Sequence, residues 1–177
     1  MKRPKISIAT TTPTTTAASS ITSGIERKIE NATEGLSPEC FNFLHKRVLP
    51  TNKENALTIC DYISSLRSEI NPSDGYRRNN IILLCKLSAF FNRRPKPFKE
   101  LTREDVLSFL DSFRKIESVD PLHKWIETYN LYRIHLMRFF KWLYSPNLEQ
   151  NKRPKPSIIE NIPQLKRKEK SIYKPTG

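Results

Sequence analysis

The sequence predicts an all-α fold, a small bundle of about five helices, from three observations. Apolar residues recur at helical spacing along several separate segments. The chain holds 4 glycines against 13 prolines, and most prolines stand between those segments, which disfavours a sheet built on tight turns. The segments open on residue types that cap helices.

Residues 1–35 are rich in Thr and Ser and lack aromatics, too little apolar surface for a core, so a disordered tail is expected with at most a helical turn over Ile25–Glu30. Ser37-Pro38-Glu39 then reads as a helix start, a hydroxyl cap followed by proline and an acid. That helix, Pro38–Leu49, presents Phe41, Leu44 and Val48 and ends at Pro50. Thr51 or Asn52 caps the next, about Lys53–Ile70, with Ala56, Leu57, Cys60, Ile63, Leu66 and Ile70 on its apolar side. Asn71-Pro72 stops it, and Ser73 or Asp74 opens another that runs to about Asn92 with Leu83, Leu84, Leu87, Phe90 and Phe91 facing inward.

Arg93-Arg94-Pro95-Lys96-Pro97 forms a stiff linker. Thr102 followed by Asp105 is close to a capping box, and the helix after it carries Val106, Leu107, Leu110 and Phe113 to about Lys115. A long helix follows, capped by Asp120, opened by Pro121 and stopped by Pro146. Its core stripe is Leu122, Trp125, Ile126, Tyr129, Leu136, Met137, Phe140, Leu143 and Tyr144. Residues 36–145 thus make one helical domain, and residues 146–177 a basic, proline-broken linker with one short turn over Ser157–Ile162.

At 177 residues the chain accommodates one domain with tails. Its formal net charge of +13 and sequence pI near 9.8 point to an anionic partner, above all nucleic acid. No apolar run is long enough for a membrane span, and the basic N-terminus lacks the apolar core of a secretory signal, so a cytoplasmic, nucleoid-associated protein is expected. Cys40, Cys60 and Cys85 are odd in number and far apart; they imply neither a zinc nor a redox site, and Cys60 and Cys85 read as buried free thiols. No catalytic residue, cofactor or metal ligand is assigned.

Two segments direct positive charge outward. On the helix before the Arg93-Arg94 linker, Arg78, Asn79, Ile82, Lys86 and Arg93 share one side, since residues three and four apart are neighbours. Arg and Lys there suit phosphates, and Asn suits an adenine edge. On the long helix, Lys124, Leu131, His135, Arg138 and Trp142 lie opposite the core stripe. Leu131 and Trp142 there would touch another helix, a partner chain or a sugar-phosphate surface. Arg133 falls within the apolar stripe, where it pairs with an acid or snorkels to the edge. The candidate contacts to double-stranded DNA are Arg77, Arg78, Asn79, Lys86, Arg93, Arg94, Lys124, Arg133, Arg138, Lys141, Lys152, Arg153 and Lys155.

Residues from about 52 to 156 resemble the N-terminal core-binding, SAM-like domain of tyrosine recombinases, the phage-integrase-like family. The resemblance lies in Leu101-Thr102-Arg103-Glu104-Asp105-Val106-Leu107-Ser108-Phe109-Leu110, similar to the start of a family helix. It continues in Thr128–Tyr144, whose Leu136-Met137-Arg138-Phe139-Phe140-Lys141-Trp142-Leu143 is similar to the end of the family's last core-binding helix. Arg153-Pro154-Lys155-Pro156 stands at the exit toward the catalytic domain, and the basic tail is most similar to archaeal integrases. The resemblance implies a helical bundle clamping duplex DNA for integration or recombination, alongside other recombinase protomers on DNA. It implies no strand cleavage by residues 1–177, because the family's Tyr, Arg, Lys and His groups lie on a further domain that would begin near Gly177. His135 and Arg138 imitate the family's H-x-x-R box and Tyr173 follows, but the two fall on a helix already assigned to the bundle. A helical protein-interaction module with basic tails for an acidic partner is the alternative.

Overall fold

The computed structural model describes residues 15–167, and among them the chain is all-helical. Six α-helices occur: α1 (Thr15–Thr33), α2 (Pro38–Asn42), α3 (Lys53–Ile70), α4 (Asp74–Phe90), α5 (Arg103–Asp111) and α6 (Trp125–Tyr144). A π-helical turn, Phe43–Val48, continues α2.

Helix α1 is the first departure from the sequence reading. Within the stretch expected to be a disordered tail, it lies against α3 and buries Ile29 and Ala32 completely. Two well-spaced apolar residues suffice, because α3, α2 and the π turn supply the rest of the interface and tertiary packing outweighs weak local composition. Residues 1–14 of that expected tail lie outside the described residues.

Asn52, rather than Thr51, caps α3 by accepting the Asn55 N–H at 3.0 Å. Asn71 ends α3 in the left-handed region at φ 41°. Ser73 caps α4, and Thr102 with Asp105 forms a complete capping box on α5. In that box desolvation pushes the Asp105 carboxyl up, but bonds from Lys96 and the Thr102 N–H outweigh it and hold it below its usual range.

Two boundaries differ from expectation. Helix α5 stops at Asp111, and α6 starts at Trp125 instead of Pro121. His123 adopts φ 50°, which an α-helix cannot contain, so Pro121 sits in a turn. Asp120 still caps, reaching across that turn to accept the Trp125 N–H at 2.9 Å.

The core is aromatic at its centre. Tyr62 of α3 meets Phe139 and Trp142 of α6 at ring-centroid distances of 5.2 and 5.1 Å, and Phe98 meets Phe139 at 5.1 Å. Trp142, expected on the outer side, is therefore a core residue; its wide ring reaches back toward α3. Leu122 and Tyr144, expected in the core stripe, are 60% and 47% exposed because the helix begins after the first and ends at the second. Cys40, Cys60 and Cys85 are buried free thiols, and burial pushes the Cys60 pKa up to about 12.

The segment after α6 is no free linker. Ile158, Ile159 and Ile162 are buried against α5 and α6. Polar side chains seize its backbone: Arg103 donates to the carbonyls of Glu160 and Asn161, and Arg133 to that of Ile162. Asn130 both donates to the Leu165 carbonyl and accepts its N–H. These bonds replace the helix or sheet pairing that a proline-rich segment cannot make for itself.

Candidate nucleic-acid interface

Helices α4 and α6 run antiparallel along a polar seam. Its middle is Asn80 of α4, whose Oδ1 lies 3.2 Å from Nδ1 of His135 on α6. An amide oxygen only accepts, so His135 Nδ1 carries the proton. Both side chains are buried, and the Tyr76 ring covers the imidazole at 5.0 Å. Desolvation, then the positive charge of Arg138, lowers the His135 pKa and keeps the ring neutral. His135 was expected on the outer side; its hydrogen bond to Asn80 lets it lie inside.

At each end of the seam a cation from one helix rests on a tyrosine from the other. Arg138 of α6 donates to the Tyr76 hydroxyl at 2.7 Å with its guanidinium 5.7 Å from the ring centroid. Lys86 of α4 donates to the Tyr132 hydroxyl at 3.3 Å, its ammonium 5.7 Å from that ring. Both cations are exposed, and neither is neutralised by a carboxylate among the described residues. From Tyr76 to Lys86 the seam spans about 15 Å of helix.

Other expected contacts remain wholly or partly exposed. Asn79 is exposed on the same side of α4 as Lys86, two turns earlier. Lys141 lines a shallow depression with Arg138, Gln150 and Asn151. Arg93 and Arg94 are exposed on the loop after α4. That loop is anchored because buried Asn55 donates to the Lys96 carbonyl and accepts the Phe98 N–H, while Lys96 pairs with Asp105. Lys124 is exposed just before α6, and Lys155 on the segment beyond it.

Four expected contacts are committed elsewhere. Arg77 is 6% exposed and donates to Asp74 and to the Glu34 carbonyl, joining α4 to the α1–α2 turn. Arg153 is buried, paired with Glu69 and donating to the Ser145 carbonyl at 3.1 Å. Burial raises the Glu69 carboxyl, but bonds from Arg153 and Ser65 more than offset that and leave it lowered. Arg133 is spent on the Ile162 carbonyl rather than on an acid. Lys152 pairs with Glu149 at 3.0 Å, an exposed pair that opens readily. Arg78 is intermediate: exposed, but bridged to Glu39 of α2 at 3.1 Å.

The π turn Phe43–Val48 carries two further exposed cations, Lys46 and Arg47. Its Leu44 O···H–N Leu49 bond skips one residue more than an α-turn, and Leu44 and Val48, four residues apart, both enter the core. Lys46 and Arg47 turn outward beside Glu39, and Arg47 stacks on Phe43 at 4.7 Å. The sequence reading followed the apolar side of this helix and did not count Lys46 and Arg47 among the contacts.

No protein-family model, curated protein or solved structure matches this chain.

Proposed function

We propose that this chain is a duplex-DNA-binding module of the core-binding type that tyrosine recombinases use, holding DNA on the α4–α6 seam and leaving strand cleavage to groups outside residues 15–167. One observation carries the reading: Lys86 and Arg138 stand exposed at the two ends of the seam, each ordered by a tyrosine of the opposite helix. Ordering long cations before binding reduces the entropy lost when they meet a ligand. The two contacts lie about 9 Å apart along α6, from Tyr132 to Arg138, and about 15 Å apart along α4, from Tyr76 to Lys86, which brackets the width of a B-DNA major groove, about 12 Å. Phosphate contacts would hold the duplex, and Asn79 between them is the side chain suited to a base edge.

Binding of this kind releases counterions. With about six phosphates neutralised, the logarithm of affinity should fall against the logarithm of salt concentration with a slope near −5. Fluorescence anisotropy of a labelled duplex across a salt series measures it; affinity that barely moves between low and moderate salt overturns the proposal.

One observation favours a protein-interaction module instead. Ile116, Val119 and Leu122, on the turns between α5 and α6, are 69%, 67% and 60% exposed. If the duplex does not bind at low salt, this second reading takes the place of the first.

A further inference from the structure

The outward stripe of α6 has a symmetric pattern. Glu127, Leu131, Ile134 and Arg138 follow at intervals of four, three and four, so they lie on one face of the helix. Leu131 and Ile134 are 46% and 45% exposed, and the Glu127 side chain is 72% exposed. Its two ends are engaged, Glu127 by Arg167 and Arg138 by Tyr76, and its apolar middle is left about half exposed. The segment carrying Ile162 and Leu165 docks on one flank of it, through Arg133 and Asn130, and α4 docks on the other, through His135 and Tyr132.

The order along the stripe is acid, apolar, apolar, base. About a two-fold axis passing between Tyr132 and Arg133, Glu127 maps onto Arg138, and Leu131 onto Ile134. We infer that α6 is a self-association surface, with a second copy of this chain as its occupant, packed antiparallel. Leu131 of each copy then meets Ile134 of the other, and Glu127 of each meets Arg138 of the other, twice over. This is an isologous contact, the same patch used by both copies. A parallel arrangement would set Glu127 against Glu127 and Arg138 against Arg138, and like charges oppose it.

Two existing contacts exchange on pairing. Glu127 gives up an exposed bridge to Arg167, and Arg138 shifts its donation from Tyr76 to a carboxylate, a stronger acceptor. Lys124 and Lys141 come near one another at the ends of the contact, where solvent screens them. From Glu127 to Arg138 is about 16 Å of helix, a short interface, so the dimer is weak and depends on concentration.

Sedimentation equilibrium of the full chain without DNA tests this. A monomer–dimer equilibrium is expected. Leu131→Asp should abolish it. Arg138→Glu alone, or Glu127→Arg alone, should raise the dissociation constant about tenfold or more, since each reversal sets like charges together in both symmetric contacts. The double variant Glu127→Arg with Arg138→Glu should restore it. All four positions are exposed or partly so, and circular dichroism checks that each variant folds. A chain that stays monomeric up to about 1 mM overturns the inference. So does a dimer insensitive to the single reversals, or one that the double reversal fails to restore. No DNA is present, so these outcomes are independent of whether the chain binds a duplex.

Discussion

Burial sets the charge state of His135, and with it a pH response. Its imidazole is 5% exposed, bonded to Asn80 and covered by Tyr76, with Arg138 nearby. Desolvation and then that arginine lower its pKa from the ordinary 6.5. The unfolded chain therefore takes up a proton before the folded one as pH falls. The stabilisation is complete above about pH 6.5 and is lost as pH drops from there toward the folded value, about 1.4 kcal/mol for each unit of difference. Urea midpoints measured at pH 7.5 and 5.5 should show this loss. His135→Gln, which has no proton to gain in that window, should show a smaller one. Equal losses in the two proteins would mean that His135 does not carry the response. The sequence could not reveal this state, because the partner Asn80 is on another helix.

Elements that pack through regular periodicity were legible: the limits of α3 came from the Thr51-Asn52 pair, the apolar spacing and Asn71-Pro72, and the capping box of α5 from Thr102 and Asp105. Elements whose stability comes from a neighbour were not. Helix α1 has a weak apolar side that α3, α2 and the π turn complete, and residues 146–167 hold their course through side chains from α3, α5 and α6. The Ser157–Ile162 segment was expected to form a turn, and Ser157–Ile159 is a turn of 3-10 helix, but its isoleucines are core residues rather than parts of a linker. Ile159 is fully buried, so Ile159→Ala should cost about 2–5 kcal/mol through lost transfer energy and a cavity. Chemical denaturation measures this. A cost below about 0.5 kcal/mol, the scale of a surface substitution, would show that the segment is not part of the folding unit.

Across the whole molecule, 31 Lys and Arg against 18 Asp and Glu make a basic surface almost unavoidable, so the excess of positive charge was legible from composition. Which cations remain available was not, because it depends on burial and on carbonyls distant in sequence. Arg77, Arg133 and Arg153 serve the fold, whereas Lys46 and Arg47 stand exposed on the π turn. Diffuse attraction and a defined seam differ in one measurable respect. If DNA rests on the seam, Lys86→Gln with Arg138→Gln should weaken duplex binding and reduce the salt slope by about 2, one unit for each phosphate no longer neutralised. Lys152→Gln with Lys155→Gln removes the same formal charge from the segment beyond α6 and should change the slope less. The comparison is made at protein concentrations where the chain is monomeric, so that removing Arg138 from a dimer interface does not contribute. All four side chains are exposed, so the fold should tolerate both pairs of changes. Equal effects from the two pairs would assign binding to net charge alone and remove α4 and α6 from the interface.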